Sequence, residues 1–310
     1  MLRILVLGSA AGGGFPQWNC GCPNCRRARE GDPAAVARTQ STLAVTADNE
    51  NWFLLNASPD LRQQITQSPP LHPARGSRHS PIAGVVLTNA DVDHIAGLLT
   101  LRERQPLTVY ATRRVHDVLA DNIVFNVLNA ECVERRSFDL SDEIELSLPD
   151  GQPAGISVQL FPVPGKVALY LEKSGAGPSF GTVAEDAVGA KITSRSDGRS
   201  FFYVPGCAAM PADLADRLRG AELVFFDGTT WTDDEMRTTG VGVKTGRRMG
   251  HMCMSGSDGA IAAFAGLDVR RKIFVHINNT NPALLSDSPE RAEAEAAGWE
   301  IAEDGMDIAL

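Results

Sequence analysis

Short apolar runs, each closed by turn-forming residues, recur along most of the chain. Apolar runs of about four to eight residues between Gly, Pro, Asn or Asp are typical of buried β-strands. The pattern predicts strands at Leu2–Leu7, Thr42–Thr46, Trp52–Asn56, Gly84–Leu87, Leu107–Tyr110, Ser157–Val163, Val167–Leu171, Ser200–Val204, Leu223–Asp227 and Lys272–His276.

Segments with helical periodicity lie between these runs. They predict helices at Pro59–Gln67, Arg113–Asp121, Ala212–Arg219, Ser257–Phe264 and Pro289–Ala297. The last of these has well-marked ends, because Ser288 can cap it and Gly298 can terminate it. Strands that alternate with helices in this way predict an α/β fold in which two stacked mixed sheets are flanked by helices.

The composition is that of a folded globular protein. Of 310 residues, 43% are hydrophobic and 22% are charged, which excludes collagen, coiled-coil and disordered proteins. No linker of distinct composition divides the chain, so we expect a single domain over residues 1–310, with a flexible turn at Gly175–Gly181. The net charge of −9 argues against a nucleic-acid partner. The apolar runs are too short for a membrane span or a signal peptide, so we expect a cytoplasmic protein.

A glycine-rich loop, Gly8–Gly14, follows the first predicted strand. A dinucleotide fingerprint would need a helix to begin there, but Pro16, Trp18 and a cysteine cluster follow instead. We therefore interpret the segment as a tight loop that carries backbone close to a functional site.

Three cysteines, Cys20, Cys22 and Cys25, lie within six residues. In a cytosolic protein, such crowding favours a metal site over a disulfide framework. Zinc takes four ligands in a tetrahedron, so the spacing predicts a structural zinc knuckle over about residues 15–30, with a fourth ligand from a distant segment. The alternative is a set of three reduced surface thiols.

A second cluster combines aspartate and histidine. Asp93 and His94 follow a predicted strand, His276 ends another, and His251 precedes a helical run. Side chains at strand ends converge on one cleft, and imidazole and carboxylate groups are common metal ligands. The alternative is that Asp91 or Asp93 only caps the following helix.

The segment Thr88–Leu98 resembles the motif His-x-His-x-Asp-His of metallo-β-lactamase-fold proteins. The resemblance continues at Gly8–Gly14, Tyr203–Cys207, Leu223–Trp231 and Val275–His276. It implies an αββα sandwich. It also implies a metal centre in which Asp93, His94 and His276 are ligands.

The departures from that motif change the expected chemistry. Asn89 and Asp91 replace two histidines of the motif, Cys207 replaces a bridging aspartate, and Lys166 lies near the place of another histidine. These replacements argue against a two-zinc hydrolytic centre. The remaining carboxylate and two imidazoles match the ligand set of non-haem Fe(II) oxygenases, which keep positions open for O2 and substrate.

Four segments together resemble the pyrroloquinoline quinone (PQQ) biosynthesis protein B family. They are Gly8–Cys25, Asn89–His94, Gly250–Ser255 and His276–Pro282. The resemblance implies Fe(II)- and O2-dependent hydroxylation of the tyrosine ring in a cross-linked Glu–Tyr intermediate made from a precursor peptide. Two alternatives remain: a carrier for transport of PQQ or its precursor to the periplasm, and a metal-dependent hydrolase of phosphodiesters.

The oxygenase hypothesis assigns further roles at the active site. His251 is a further ligand or an acid–base group, while Asn89, Asp91 and Asp227 orient ligands or substrate. Asn279 is a candidate fourth zinc ligand.

The expected substrate is a small amino-acid-derived molecule with several carboxylates. Candidate partners for these carboxylates are Lys166, Lys244, Arg247 and Arg248. Other proteins of the PQQ pathway are expected partners, and a homodimer is possible.

Overall fold

The computed structural model describes residues 1–140, 142–172 and 181–310. The turn predicted at Gly175–Gly181 lies outside the described residues apart from Gly181. Within the described ranges, fourteen strands form two sheets of seven strands each. No described helix is both long enough and apolar enough to cross a membrane.

The first sheet has the strand order β14-β1-β2-β3-β4-β5-β6. Neighbours from β14 to β3 are antiparallel, and neighbours from β3 to β6 are parallel. Its strands are β1 (Arg3–Gly8), β2 (Thr42–Thr46), β3 (Trp52–Leu55), β4 (Ile82–Val86), β5 (Leu107–Ala111), β6 (Val133–Ser137) and β14 (Asp307–Ala309).

The second sheet has the strand order β13-β12-β11-β10-β9-β8-β7. Neighbours from β7 to β10 are antiparallel, and neighbours from β10 to β13 are parallel. Its strands are β7 (Glu143–Ser147), β8 (Pro153–Pro162), β9 (Val188–Ser194), β10 (Ser200–Val204), β11 (Leu223–Asp227), β12 (Arg271–Val275) and β13 (Trp299–Ile301).

Short helices connect the strands. They are α1 (Pro23–Arg29), α2 (Leu61–Gln67), α3 (Val92–Ile95), α4 (Arg113–Asp121), α5 (Ala212–Leu218), α6 (Glu235–Thr238), α7 (Gly246–Met249), α8 (Ala260–Ala263) and α9 (Pro289–Ala296). The predicted cap of α9 is confirmed, since the Ser288 hydroxyl accepts a hydrogen bond from the backbone N–H of Arg291 at 3.0 Å.

Apolar side chains fill three layers. Ile4 and Val45 from one sheet and Phe201 and Ile273 from the other belong to the layer between the sheets. A second layer includes Trp52 and covers the outer side of the first sheet. The third covers the outer side of the second sheet, where the rings of Phe274 and Trp299 stack with centroids 3.8 Å apart. These layers confirm the predicted αββα sandwich.

Some element predictions were wrong. The strand predicted at Val167–Leu171 is a loop that ends in a 3-10 helix at Leu169–Leu171, and no strand lies next to it for pairing among the described residues. The sequence Val-Glu-Arg-Arg-Ser of β6 was missed because an edge strand with polar side chains lacks an apolar run. Helix α1 was missed too: it begins with Pro23 in its first turn, directly inside the cysteine cluster.

Several strand ends meet at one edge of the sandwich. The parallel pair β11 and β12 ends at Asp227 and Val275, and the backbone N–H of Gly228 bonds Val275 O at 2.8 Å just beyond. The loop after β4 leads into α3, which contains the predicted ligands Asp93 and His94. Ligand sites of α/β folds form at such carboxyl ends of parallel strands.

Candidate metal centres

The structure brings Asp93, His94 and His276 together although His276 lies 183 positions after Asp93. One ligand atom from each residue lies within 4.8 Å of the others. His276 Nε2 is 3.0 Å from Asp93 Oδ2, and the rings of His94 and His276 meet edge to face with centroids 5.2 Å apart. The predicted set of one carboxylate and two imidazoles is therefore assembled in one place.

The backbone at His276 has φ of +60°, in the left-handed region that non-glycine residues rarely adopt. Hydrogen bonds on its C-terminal side hold this conformation: Ile277 N donates to Ser9 O at 3.0 Å, and Ala11 N donates to Ile277 O at 2.8 Å. Strained residues of this kind cluster at functional sites, where surrounding structure enforces them. Here the turn sets the position of the imidazole.

His94 has one ring nitrogen that makes no hydrogen bond. Its Nδ1 lies 2.8 Å from Asn89 Oδ1, an amide oxygen that also accepts the backbone N–H of Asp91. An amide oxygen only accepts, so Nδ1 carries the proton and Nε2 keeps its lone pair. His94 Nε2 is buried and has no hydrogen-bond partner among the described residues. A buried lone pair beside a carboxylate fits a metal ion.

Asp227 holds several groups around this centre through hydrogen bonds. Its Oδ1 accepts from the backbone and hydroxyl of Thr229, and its Oδ2 accepts from Cys207 N at 2.8 Å and His251 Nδ1 at 2.7 Å. The rings of His251 and His276 stack with centroids 5.2 Å apart. Sequence reasoning missed Thr229; the only signal was a polar residue directly after a buried strand.

Burial and neighbouring charged groups have opposing effects on the pKa values of the candidate ligands. Burial alone would raise the pKa of Asp93, but the charges of His94 and His276 hold it well below its usual range. Burial lowers the pKa of His94 to about 4. Burial also opposes the charge on His276, yet its hydrogen bond with Asp93 raises its pKa overall. An ionised Asp93 and a neutral His94 are the forms that bind a metal ion.

Asp91 lies beside Asp93 but does not cap the helix. It is the N-cap residue of α3, yet its carboxylate makes no capping hydrogen bond. Burial raises the pKa of Asp91, and the charge of Asp93 raises it further. The capping alternative is therefore not supported for Asp91.

The loop Gly8–Gly14 passes close to Asp93, as predicted. A Cβ placed on Gly12 would lie 3.3 Å from Asp93 Oδ2. Glycine lets the backbone approach the carboxylate at this point. The structure also lacks a helix directly after this loop, since α1 begins at Pro23.

The predicted substrate-binding cations separate into two groups. Arg248 binds Glu172 through both guanidinium ends at 3.0 and 2.7 Å, and Lys166 Nζ lies 3.4 Å from the same carboxylate. Burial raises the pKa of Asp91 overall, although the charge of Lys166 lowers it. Arg247 instead forms an exposed ion pair with Asp258. The structure gives Lys244 no contact with the centre within the described ranges.

Cys207 does not take the place of a metal-bridging carboxylate. Its thiol donates to Ala209 O at 3.0 Å, and burial raises its pKa to about 12. The group is a neutral thiol whose backbone N–H holds Asp227. At this position the chain therefore has a neutral thiol where the two-metal motif has a negatively charged aspartate.

The predicted cysteine cluster is also assembled. The sulfur atoms of Cys20, Cys22 and Cys25 lie within 4.8 Å of one another. The side-chain amide Nδ2 of Asn279 lies 3.1, 3.7 and 3.3 Å from these three sulfurs, respectively. In a tetrahedral zinc site, a fourth oxygen ligand lies about 3.5 Å from each sulfur. Asn279 Nδ2 thus donates to the sulfurs from the position of a fourth ligand, and the side-chain amide would have to turn to place its oxygen there.

The thiols differ in acidity. Burial works against ionisation of Cys20, but hydrogen bonds from Cys22, Cys25 and Asn279 lower its pKa overall. Burial raises the pKa of Cys22 to about 12. Zinc binding would have to displace the proton of Cys22, because the thiolate is the ligand.

Known proteins with the same fold and a similar sequence identify the family of this chain. A model described as a beta-lactamase superfamily domain matches residues 51–277. The coenzyme PQQ synthesis protein B of Gluconacetobacter diazotrophicus is 55% identical over 308 residues, which cover 99% of both chains. The chain belongs to the coenzyme PQQ synthesis protein B family. The resemblance inferred from the motifs is confirmed.

Solved structures agree with this membership in the PQQ synthesis protein B family. The crystal structure of Zn2+-bound PqqB from Methylobacterium extorquens is 50% identical, with a TM-score of 0.94, covering 99% of this chain and 100% of that one. The metallo-beta-lactamase fold protein YhfI from Bacillus subtilis is 12% identical, with a TM-score of 0.65 and coverage of 99% and 98%. The second likeness concerns the fold alone.

Proposed function

We propose that the chain acts in PQQ biosynthesis as an Fe(II)- and O2-dependent hydroxylase of the tyrosine ring in a cross-linked Glu–Tyr intermediate. The names of its relatives support the pathway. One observation carries the metal chemistry: the buried Nε2 of His94 has no protein partner among the described residues and lies in a cluster with Asp93 and His276. That ligand set is the one used by non-haem Fe(II) oxygenases.

Asp93, His94 and His276 would hold the iron. Bound Fe(II) supplies activation of O2, with one oxygen atom entering the ring, the other leaving as water, and two electrons coming from an external reductant. Asn89 keeps the proton of His94 on Nδ1 through their 2.8 Å hydrogen bond. Asp227 holds the Nδ1 proton of His251 at 2.7 Å, which leaves Nε2 of His251 able to accept a proton from the substrate phenol or ring.

The substrate carries several carboxylates, and we assign their binding to Lys166 and Arg248. Both cations lie around Glu172, and Arg248 binds that carboxylate in a bidentate manner, as it could bind a carboxylate of the substrate. Arg247 and Lys244 are weaker candidates, because the ion pair of Arg247 with Asp258 is exposed and Lys244 is not part of the largely buried group around Glu172.

Zinc belongs at the other cluster in this proposal. Three thiolates are typical ligands of structural zinc sites, and the amide oxygen of Asn279, once turned toward the sulfurs, would complete a closed set of four. The protein would work in the cytoplasm with other enzymes of the PQQ pathway, alone or as a homodimer.

Turnover with defined metals tests the proposal. The protein is loaded anaerobically with one Zn(II) and one Fe(II) and given the cross-linked Glu–Tyr substrate, a reductant and isotope-labelled O2. The expected result is substrate-dependent O2 uptake and one labelled oxygen atom in the product. Hydrolysis of phosphodiesters with Zn(II) and without O2 would replace the proposal with the hydrolase. Tight binding of PQQ without turnover under every metal would replace it with the carrier.

A further inference from the structure

The hydroxyl of Thr229 lies where four polar atoms meet. Its Oγ1 is 2.7 Å from Asp227 Oδ1, 3.0 Å from the backbone oxygen of His276, 2.9 Å from His276 Nδ1 and 3.0 Å from His251 Nδ1. Thr229 is almost fully buried. Water therefore does not compete for these contacts, and the hydrogen bonds must be shared among these groups.

A count of protons fixes the direction of each bond. A hydroxyl has one hydrogen to donate, whereas a carboxylate oxygen and a backbone carbonyl can only accept. The single hydrogen of Thr229 therefore goes to Asp227, the nearest acceptor. The two imidazole nitrogens then face the lone pairs of Oγ1, so each of them must bring its own hydrogen.

We infer that Thr229 is a positioning residue that holds both His276 and His251 in the tautomer with the proton on Nδ1. Asp227 helps with His251, whose Nδ1 lies 2.7 Å from Oδ2. All four acceptor positions of the Asp227 carboxylate are filled, by two backbone N–H groups, the Thr229 hydroxyl and His251. In this arrangement Asp227 positions the imidazoles through its hydrogen bonds.

The consequence is a shared orientation of the two imidazoles. Both rings direct Nδ1 at the same hydroxyl, and their planes differ by only 20°. Their Nε2 atoms therefore lie on the side away from Thr229, where His276 Nε2 is 3.0 Å from Asp93. His94 reaches the same tautomer through Asn89. His276 Nε2 donates its proton to the Asp93 carboxylate, which can only accept, and a metal ion would take the place of that proton. His94 and His276 would then both present Nε2 to the proposed metal centre, and the inference rests on that proposed function.

The structure explains how the sequence places this hydroxyl. Asp227 ends β11, and Gly228 and Thr229 follow it next to the end of β12. A Cβ on Gly228 would lie 3.0 Å from the Cβ of Phe274, so glycine allows the two strand ends to approach closely. The backbone N–H of Asn278 then bonds Thr229 O at 3.0 Å, which fixes Thr229 beside His276.

Two substitutions separate this role from packing. Thr229→Val keeps the shape and removes the hydroxyl, whereas Thr229→Ser keeps the hydroxyl. Thr230→Val is the matched control, because Thr230 is fully buried and its hydroxyl has no hydrogen-bond partner among the described residues. Thermal unfolding of each variant establishes that it is folded.

Metal affinity is measured without any turnover. The cysteine cluster is first filled with Zn(II), and Co(II) is then titrated into the second centre and followed by its visible absorption. Thr229→Val should bind Co(II) about 10- to 100-fold more weakly, as for other residues that orient metal ligands. Thr229→Ser and Thr230→Val should stay within about threefold of the parent, well below that effect. Parent-like affinity in Thr229→Val, or no rescue by serine, would overturn the inference.

The tautomers themselves can be observed in the unsubstituted chain. Nitrogen-15 NMR of the Zn(II)-loaded protein, labelled at histidine, shows which ring nitrogen carries hydrogen. We expect Nδ1–H signals for His251 and His276, and a proton on Nε2 of either residue would contradict the assignment. Neither measurement uses O2, so both can succeed while the hydroxylase proposal fails, or fail while it succeeds.

Discussion

The two candidate metal centres are built in different ways from the same chain. The cysteine centre takes three ligands from one short segment, Cys20 to Cys25, and only Asn279 comes from far away. The second centre joins Asp93 and His94 to His276, across 183 positions. The first can form from local structure, whereas the second exists only after both sheets have packed together.

Their surroundings differ as well. The cysteine centre has four groups around one point, which leaves no position for a substrate. In the aspartate–histidine centre, Nδ1 of each imidazole has a hydrogen-bond partner. Nε2 of His94 has no partner among the described residues. Closed sites stabilise folds and open sites perform chemistry. We therefore expect substitutions at the two centres to change different properties.

The largest effect is expected at the open centre. Asp93→Ala and His276→Ala each remove one of three proposed ligands, so both should abolish binding of Fe(II) and substrate-dependent O2 uptake. Zinc content should stay at one ion per chain in the same proteins, since the cysteines are untouched. Elemental analysis after anaerobic loading measures both metals, and full O2 uptake in either variant would show that these residues are not ligands.

The next effect concerns stability at the closed centre. Cys22→Ser removes a buried thiolate ligand, so zinc should be lost and the melting temperature should fall. At a free zinc concentration of about 1,000 times the dissociation constant, zinc binding increases the free energy of unfolding by about 4 kcal/mol. The decrease should be absent when the parent and variant are compared after complete removal of zinc. An unchanged melting temperature with full zinc content would contradict a structural role.

A pH-dependent effect is expected close to the cysteine centre. Burial raises the pKa of Glu235 to about 7 from its ordinary 4.5, although hydrogen bonds from Thr280 and Trp231 oppose the shift. The folded state binds the proton of Glu235 more tightly than the unfolded state does. This proton therefore contributes fully to the free energy of unfolding below pH 4.5, and the contribution is lost as the pH rises through 7. Over that window the loss is about 3 kcal/mol.

Glu235→Gln removes this titration. Urea unfolding at several pH values between about 5 and 8 should therefore show a smaller decrease in stability for the variant than for the parent. Glu293→Gln, which changes an exposed carboxylate on α9, is the matched control. Equal slopes for the Glu235 variant and its parent would contradict the assignment.

The smallest expected effect is on zinc affinity, and it distinguishes two roles of Asn279 at the cysteine centre. If its oxygen is the fourth zinc ligand, Asn279→Asp should keep or increase zinc affinity, whereas Asn279→Ala should weaken it about tenfold, near 1.4 kcal/mol. If the side chain only donates N–H bonds to the thiolates, the aspartate would instead repel them and bind zinc worse than alanine does. Competition with a zinc chelator distinguishes the two orders.

Apolar runs were sufficient to predict the central strands. The bounds of Thr42–Thr46, Ser200–Val204 and Leu223–Asp227 are those seen in β2, β10 and β11. These strands are almost wholly buried, so their sequences are apolar on both faces. Edge strands such as β6 expose polar side chains and give no such signal.

The candidate ligands could be proposed from the sequence because their residue types are chemically distinctive. Of their orienting partners, the sequence suggested Asn89 and Asp227 but not Thr229. Thr229 acts through contacts that depend on β11 lying next to β12, and threonine is common at strand ends. The pairing of Lys166 and Arg248 with Glu172 likewise depends on loops whose approach no local pattern encodes.

The most direct test is a crystal of protein loaded with both metals, measured by anomalous scattering at the iron and zinc absorption edges. The account predicts an iron signal among Asp93, His94 and His276 and a zinc signal among Cys20, Cys22 and Cys25. Zinc at both centres after anaerobic loading with excess Fe(II), or iron bound away from the aspartate and the two histidines, would contradict it.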